Sequence, residues 1–269
     1  PNQEGLAREL HVFWLTPQMD RIFTESPSDR RKFFDRLVVG FNPGHSTRMN
    51  AYQRSLAERS RVLRFRPGDT GWLDAVERTM SENAVAISAA RRESLVRLND
   101  VLGSPLGDFF PRASIELVGK VESWLTEFPA LEVEERLCQA FAEARSEDVE
   151  KGGSVVGPHR MDLSVKHLGK DMPAAQCSTG EQKMLLLSIA FAHARAQADL
   201  FGQKPLILLD EVMAHLDPLH RRSLVEALSA LGSQAWMTGI SAELFSDFGS
   251  RAQLLSVGDG GIEKLRVEN

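Results

Sequence analysis

A short apolar run that ends in two acidic residues constrains the fold of this chain more than any other feature. Leu206-Ile207-Leu208-Leu209 has no polar interruption and is followed at once by Asp210 and Glu211. Such a run is typical of a strand buried inside a parallel sheet. Because ligands bind at the carboxyl ends of parallel strands, the two carboxylates are predicted to border a binding site.

Helical and strand patterns alternate on both sides of this run and predict an α/β domain. Ser178 and Glu181 have the spacing of a capping box in front of an apolar helix. Asp217, followed by proline, has the residue types that begin a second helix, which is expected to end before a glycine. Gln234 to Thr238 follows as a strand pattern, and consecutive strands tend to be neighbours, so Thr238 is expected beside Asp210.

Two long helical patterns in the first half of the chain predict a helical arm inserted into this domain. They run from Ser46 to about Arg64 and from Trp72 to Leu102, and a Pro-Gly-Asp loop separates them. A short connection between long helices favours an antiparallel hairpin. We expect three parts: residues 1–24 and 151–269 in the α/β domain, with the arm or second lobe at 25–150. Further strands are predicted at His11–Leu15, Ala113–Val118 and Met161–His167, and helices before Asn42 (capped by Ser28 or Asp29) and at Leu131–Arg145.

The distribution of charge is more informative than the formal net charge of −5. Residues 21–66 contain 11 Lys or Arg against 4 Asp or Glu, whereas residues 121–150 contain 2 basic and 9 acidic residues. A clustered basic segment can bind phosphates without sequence preference. The alternative is a solvated helical face. The candidates for DNA contacts are Arg30, Arg31, Lys32, Arg36, Arg48, Arg54, Arg59, Arg61 and Arg64.

Three classes of protein are disfavoured by composition. No run of about 18 apolar residues is present, so the sequence predicts no membrane-spanning helix. The two cysteines, Cys138 and Cys177, are isolated, which argues against a disulfide framework and favours a cytoplasmic protein. No repeat of 20 to 50 residues is evident, so a repeat array is not supported.

The acidic pair and the capped helix each have a functional and a plain interpretation. Asp210 is suited to hold Mg²⁺ through water, and Glu211 to orient and deprotonate an attacking water, but a chance apolar run before Asp-Glu is possible. Gly180 leaves backbone amides open at a helix start where anions bind, but the same residues serve a well-capped core helix. Thr238 can contact a γ-phosphate or belong to a plain turn.

The order of these segments is similar to that of the ABC-type ATPases. Ser-Thr-Gly-Glu-Gln-Lys at 178–183, the strand ending in Asp210-Glu211, and Leu216-Asp217 resemble the signature motif, the Walker B motif and the D-loop. Three further segments resemble, in the same order, segments of the bacterial RecF family. They are Trp14-Leu15-Thr16-Pro17, Ser26-Pro27-Ser28-Asp29-Arg30-Arg31-Lys32-Phe33-Phe34-Asp35 and Gly157-Pro158-His159-Arg160.

The resemblance implies an ABC-type (P-loop NTPase) ATPase head with a helical arm, and roles for particular residues. Asp210 is the implied Mg²⁺ ligand and Glu211 the catalytic carboxylate. Ser178 and Gly180 are the implied contacts to the γ-phosphate of ATP bound by a partner subunit. The remaining implied ATP contacts are Glu181, Lys183, Asp217, Gln18 and Thr238.

The chain also departs from the family pattern. Cys177, Met161 and His215 stand where leucine, an acid and an acid are usual. No Gly-x-x-x-x-Gly-Lys-Ser/Thr occurs, so the phosphate loop of these ATPases is not among the 269 residues. We therefore expect Pro1 to be an internal residue of a longer protein with that loop upstream, and the central sheet of this chain to expose apolar surface.

Three functions remain open at this point. The resemblance implies an ATP-dependent homodimeric clamp that binds duplex or gapped DNA, works with the recombination mediator RecR in loading recombinase, and hydrolyses ATP slowly. A second reading is a head of the kind that closes long coiled-coil proteins, although about 55 to 60 residues make a short arm at 1.5 Å per residue. A third is a DNA- or protein-binding module without catalysis.

Overall fold

The computed structural model describes residues 10–104, 110–214, 216–258 and 260–265, and helices and strands alternate through this part of the chain. His215, one of the departures named above, lies outside the described residues. The helices are α1 (Pro27–Phe41), α2 (His45–Phe65), α3 (Thr70–Leu102), α4 (Lys120–Glu127), α5 (Ala130–Glu143), α6 (Arg145–Lys151), α7 (Thr179–Phe201) and α8 (Pro218–Leu231). The strands are β1 (Val12–Leu15), β2 (Ala113–Val118), β3 (Asp162–His167), β4 (Met172–Pro173), β5 (Leu206–Leu209), β6 (Ala235–Met237), β7 (Leu255–Gly258) and β8 (Gly261–Lys264).

A parallel sheet of order β1-β5-β6 carries the candidate site. Leu15 pairs with Leu209, and Leu209 pairs with Met237, so the three strands end at the same level. The apolar run therefore forms the central strand of this sheet, as its sequence predicts. Its neighbours are β1 and β6. Because Thr238 directly follows β6, the prediction that it lies beside Asp210 is confirmed.

A second, antiparallel sheet joins the middle of the chain to the later part. β2 pairs with β3 along its whole length, from Ala113 opposite His167 to Val118 opposite Asp162. The sequence predicts both strands but contains no sign of their pairing, because the partners are far apart along the chain. β7 and β8 form a separate two-stranded hairpin.

The predicted helical hairpin is present as α2 and α3. Trp72 Nε1 donates to Glu58 Oε1 at 2.9 Å across the pair, close to the connecting loop. α3 is buried at intervals along its whole length, from Leu73 to Leu102, and packs against α5, α7 and β2. The hairpin is therefore part of the packed body, so it does not project as a coiled-coil arm.

The buried apolar residues form two main clusters. The larger one surrounds α7 and includes residues of β1, α1, β3, β5 and α8. The second lies between α2, α3 and α5, around Met80, Ile87, Leu137 and Phe141. α7 is buried on nearly every side, which explains its apolar composition. The predicted division at residues 24 and 150 stays a prediction.

Two local predictions need correction. α1 is capped by Ser26, whose hydroxyl oxygen accepts from Asp29 N at 3.2 Å, and not by Ser28 or Asp29. Proline at the first helical position suits this start, because it lacks the amide that would have no partner there. The apolar spacing of α8 predicts Leu219 on its inner face, but this residue lies in the first turn of the helix and is 55% exposed.

One face of the parallel sheet exposes a row of large apolar side chains. Trp14, Leu208 and Trp236 are direct neighbours across β1, β5 and β6. They are 40%, 36% and 54% exposed. This row agrees with the expected exposure of apolar surface on the sheet. In the described part of the chain, no helix is both long and apolar enough to cross a membrane.

Candidate functional site

The three parallel strands bring the predicted carboxylates to one edge of the sheet. Asp210 N donates to Leu15 O at 2.9 Å, and Thr238 N donates to Leu209 O at 3.0 Å. These two bonds continue the sheet for one residue beyond β5 and β6. They hold Asp210 and Thr238 side by side at the carboxyl edge, where open α/β sheets bind ligands.

The hydroxyl of Thr238 connects the two acidic residues. It donates to Asp210 Oδ1 at 2.5 Å and accepts from Glu211 N at 3.0 Å. Asp210 Oδ2 has no hydrogen-bond partner among the described residues, and both carboxylates are exposed. Thr238 therefore orients Asp210 while one carboxylate oxygen remains open to a ligand.

Glu211 adopts a backbone conformation that is rare for a residue with a side chain. Its φ is 49°, in the left-handed region, and such a conformation costs about 1 to 3 kcal/mol. The hydrogen bond from its amide to Thr238 helps to hold it there. Strain of this kind is concentrated at functional sites, so the conformation supports a role for this turn.

The predicted capping box is present at the start of α7. Ser178 Oγ accepts from Glu181 N at 3.4 Å, and Ser178 N donates to Glu181 Oε2 at 3.0 Å. The ammonium of Lys170 and these bonds from Ser178 lower the pKa of Glu181 to about 2. Gly180 is exposed and has no neighbour within 4 Å of the position of a Cβ, so the helix start is open to solvent.

Lys183 does not take the position that its place in the motif led us to expect. Its ammonium is buried, with the whole residue only 5% exposed. It donates to Asp20 Oδ2 at 3.1 Å and to Ala214 O at 3.0 Å. Lys183 therefore connects three segments, namely α7, the turn after β1 and the loop after Glu211. Its side chain points into the packed interior from the second turn of α7, so it is not placed for the expected direct contact with ATP.

Two other predicted nucleotide contacts lie on segments that begin at the same edge. Gln18 is exposed on the 3-10 turn Pro17–Arg21, which directly follows β1. Asp217 caps α8, and its carboxylate accepts from His220 N at 3.0 Å and from His220 Nδ1 at 2.7 Å. Asp217 is therefore fixed as the cap of α8. The exposed side chain of Gln18 is available to a ligand at the carboxyl edge of the parallel sheet.

The structure separates the predicted DNA-contacting residues into exposed and engaged groups. Arg30 is engaged by Asp162 through two bonds, at 2.8 and 2.6 Å, and Arg31 donates to Met161 O at 2.7 Å. Arg36 is half-buried against aromatic rings, and burial lowers its pKa to about 10. The exposed residues are Lys32, Arg48, Arg54, Arg61 and Arg64.

Arg59 was expected on the basic surface, and this expectation was wrong. The residue is 1% exposed and donates to Glu77 at 2.7 Å, to Asp148 at 2.5 Å and to Phe141 O at 2.6 Å. It connects α2 with α3, α5 and α6. The guanidinium is buried and bonded to three internal acceptors, so DNA cannot reach it, and Arg59 is a structural residue.

Sequence reasoning missed Asp20, the carboxylate partner of Lys183. No local pattern identifies it, since the pair is 163 positions apart. A carboxylate within a few residues of Gln18 was visible in the sequence, but its partner follows only from the packing of α7 against the turn after β1.

The acidic residues suit a metal that is shared with phosphates. Among the described residues, no group of three His, Cys, Asp or Glu side chains is arranged to hold a metal ion. Mg²⁺ retains water and uses one or two carboxylates together with substrate phosphates. The open oxygen of Asp210 fits such a partial site.

Comparison with known proteins agrees with this geometry. A family model described as "AAA domain, putative AbiEii toxin, Type IV TA system" matches residues 22–253. The DNA replication and repair protein RecF of Mesorhizobium japonicum is 45% identical over 261 residues, which is 96% of this chain and 69% of the relative. That of Agrobacterium fabrum is 42% identical over 260 residues, again 96% of this chain and 69% of the relative.

Solved structures show the same fold at low identity. A structure of the recombination mediator protein RecF with ATPrS, in the RecFOR pathway, has a TM-score of 0.83 at 21% identity and covers 98% of this chain and 70% of its own. A RecF–ATP structure has a TM-score of 0.77 at 20% identity, with 96% and 68% covered. The expected ABC-type ATPase fold is confirmed, and the identity to curated relatives over nearly the whole chain shows that the protein belongs to the RecF family.

Proposed function

We propose that this protein is a DNA replication and repair ATPase that binds DNA in an ATP-dependent manner. The observation that carries the proposal is the edge of the parallel sheet, where Thr238 orients Asp210 beside the strained turn of Glu211. Family membership supports it, because curated relatives are named DNA replication and repair protein RecF. The solved structures of RecF with ATP and with ATPrS support nucleotide binding by this family.

Asp210 and Glu211 have different proposed roles at this edge. ATP bound here would supply the γ-phosphoryl group, and Mg²⁺ would neutralise the charge of its phosphates. Asp210 would hold the metal through its open oxygen. Glu211 holds a water molecule by accepting a hydrogen bond and takes its proton as the water attacks. The hydroxyl of Thr238 bonds to both residues and so fixes the Asp210 carboxylate relative to the backbone of Glu211.

The start of α7 is proposed to bind the γ-phosphate of ATP held by a second copy. The exposed backbone at Gly180 and the hydroxyl of Ser178 lie at a helix amino terminus, where partial positive charge favours anions. Glu181 is proposed to fix the start of α7, and Asp217 the start of α8. Lys183 is proposed to hold α7 against the turn after β1. Gln18 completes the proposed contacts. The phosphate-binding glycine loop of these ATPases is not part of the sequence.

DNA binding is proposed on the basic segment at residues 21–66. Exposed arginines there bind phosphates without sequence preference, which suits duplex or gapped DNA. We also propose a homodimer and contact with the recombination mediator RecR, and the RecFOR pathway named for a solved relative supports this. Free Cys138 and Cys177 support a cytoplasmic location.

The packing of α3 argues against the coiled-coil alternative. A tethering head needs helices that leave the body, whereas α3 is buried along its length. The remaining alternative, a module without catalysis, needs no strained acidic turn at the sheet edge. We therefore favour a slow ATPase that is stimulated by DNA.

The test is ATP hydrolysis by the protein as its gene encodes it, measured with and without gapped duplex DNA. Glu211→Gln keeps the size of the side chain but removes the base, and general-base residues contribute about 10²- to 10⁴-fold. We expect DNA-stimulated turnover that this substitution reduces at least a hundredfold. Glu226→Gln, on the exposed face of α8, is the matched control and should retain full turnover.

Two results would contradict the proposal. Equal turnover in Glu211→Gln and in the control would remove Glu211 from the mechanism. DNA binding that persists without measurable turnover or nucleotide dependence would favour the non-catalytic module.

A further inference from the structure

The loop Gly157–Arg160 has no proposed role in the nucleotide site, but side chains from α2 and α3 bond to it. Gly157 has a φ of 130°, and a Cβ there would collide with the hydroxyl of Tyr52. Only glycine combines this backbone angle with such a close approach. The residue type is therefore dictated by contact with α2.

Side chains from two helices hold the loop in one conformation. His159 Nδ1 lies 2.8 Å from Tyr52 Oη, and His159 Nε2 lies 2.9 Å from Ser154 O. Arg91, buried on α3, donates to Pro158 O at 2.7 Å. Burial lowers the pKa of His159, so the ring is neutral at pH 7 and carries only these bonds.

Two guanidinium groups, those of Arg31 and Arg160, are bonded to the backbone on either side of this loop, and their charges interact. Arg160 is exposed, and its Nε donates to Ser154 O at 2.9 Å. Arg31 is half-buried, and its Nη1 donates to the carbonyl of Met161, the residue next to Arg160, at 2.7 Å. Each group is fixed by a backbone carbonyl, and the remaining N–H groups have no acceptor among the described residues.

Among the described residues, no carboxylate forms a salt bridge with Arg31 or Arg160, because the nearby carboxylates are engaged by other arginines. Asp162 accepts both of its bonds from Arg30, at 2.8 and 2.6 Å. Asp35 is engaged by Arg91, at 2.8 and 2.9 Å.

A third carboxylate on this side of the molecule is also engaged, since Asp148 is bound by Arg59 at 2.5 Å. Burial, followed by the charge of Arg91, lowers the pKa of Arg31. The carboxylates of Asp162 and Asp35 act in the opposite direction, and the charge of Arg160 contributes a further, smaller lowering. The nearby carboxylates are already paired with other arginines, so Arg31 and Arg160 contribute an excess of positive charge that favours a bound anion.

We propose that Arg31 and Arg160 form a preorganised site for a backbone phosphate of DNA. Guanidinium groups bind phosphate oxygens through paired N–H donors. Fixed side chains lose little conformational entropy on binding, whereas the free arginines of α2 must be ordered. This inference rests on the proposed DNA binding. It adds Arg160 to the candidate DNA-contacting residues and removes Arg30, because Asp162 neutralises the charge of Arg30.

The surroundings favour DNA over a free anion. The site is open to solvent, since Arg160 is exposed, and Arg31 belongs to the basic segment whose other exposed residues continue along α1 and α2. A phosphate in a polymer can bind here while its neighbours bind those residues. A free phosphate would gain only the two guanidinium contacts.

The experiment measures binding of a fluorescently labelled duplex with a gap to the 269-residue chain, as a function of salt concentration. Arg31→Gln and Arg160→Gln are compared with Arg195→Gln, an exposed arginine of α7 outside the basic segment. Each site variant should weaken binding about tenfold at 0.1 M salt and lower the slope of log K against log salt by about 1. The control should bind like the unmodified chain.

The outcomes separate this inference from the broader one. If the unmodified chain and the gene-encoded protein bind no DNA, both proposals fail. If they bind DNA and the Arg160→Gln variant matches the control, only the phosphate site is wrong. Since Arg160 is exposed, this variant is expected to keep its melting temperature, so it decides the question even if Arg31→Gln is poorly folded.

Inorganic phosphate distinguishes the two possible sources of the anion. Calorimetric titration of phosphate at constant ionic strength should give weak binding at most. Tight phosphate binding that Arg160→Gln abolishes, combined with unchanged DNA binding, would assign the site to a free anion and overturn the DNA assignment.

Discussion

The ammonium of Lys183 lies 3.1 Å from the carboxylate of Asp20, and this pair joins α7 to the turn that follows β1. A further bond, from the same ammonium to Ala214 O at 3.0 Å, includes the loop after the acidic pair. Three segments that carry candidate nucleotide contacts therefore meet at one buried cation. Lys183 is a positioning residue for them.

Replacing Lys183 by methionine should lower the free energy of unfolding by about 1 to 3 kcal/mol. The substitution keeps most of the apolar stem but leaves Ala214 O without its buried donor. Urea unfolding followed by circular dichroism measures the change. Lys170→Met is the control, because Lys170 is exposed and a surface ion pair contributes little to stability.

The double variant with Asp20→Asn tests the pair itself. We expect a coupling energy of about 0.5 to 3 kcal/mol between the two substitutions. Strict additivity would show that the 3.1 Å contact contributes nothing to stability.

Arg59 and Arg61 should behave oppositely although they are two positions apart. Arg59→Ala leaves Asp148 buried without its cation and removes one of the two guanidinium partners of Glu77, the other being Arg145, and breaking a buried pair costs about 3 to 5 kcal/mol. Arg61 is exposed, so Arg61→Ala should change stability by less than about 0.5 kcal/mol. Thermal melting of both variants gives the comparison, and similar melting temperatures would contradict the buried placement of Arg59.

Gly40→Ala should destabilise the protein, although alanine usually stabilises a helix interior by about 0.5 to 1 kcal/mol. A Cβ on Gly40 would lie 2.7 Å from the ring of His193 and 2.8 Å from the amide of Gln197. Both side chains are buried and hydrogen-bonded to backbone carbonyls of α1, so neither can move away from the added methyl group. Overpacking of this kind costs about 1 to 3 kcal/mol.

Gly71→Ala is the matched control for this prediction. Gly71 lies in the first turn of α3 and has no neighbour within 4 Å of the position of a Cβ. This substitution should be neutral or slightly stabilising in denaturant unfolding. Equal effects at the two positions would show that contact with His193 does not matter.

The pH dependence of stability should include a contribution from His193. Burial lowers the pKa of this residue from 6.5 to about 4. The unfolded state therefore binds the proton more readily, and stability falls as the pH decreases from about 6.5 through about 4, by up to about 3 kcal/mol. Above pH 6.5 the contribution is constant, because His193 is neutral in both states.

His193→Gln isolates this contribution, since glutamine can still donate to Leu37 O. Urea unfolding at pH 7.0 and pH 4.5 should show a smaller loss of stability in the variant than in the unmodified protein. The same loss in both would assign the acid sensitivity to other groups, such as His11 and His159, whose pKa values burial also lowers.

The sequence by itself determined the α/β pattern, the helical hairpin and the acidic edge of the sheet. These follow from local chemistry: an apolar run before Asp210, a capping box at Ser178 and Glu181, and a short loop between two long helices. Each signal lies within a few residues of the structure that it specifies. The likeness to the RecF family also rests on such short segments.

Tertiary structure alone decided which charged side chains face solvent. Arg59 and Arg61 are equivalent in the local sequence, and Lys183 lies in a motif that suggested a nucleotide contact. Their positions depend on partners that are distant in the chain, namely Asp148 for Arg59 and Asp20 for Lys183. A buried charge needs a partner that local patterns do not reveal, because only the packing of separate helices brings the two together.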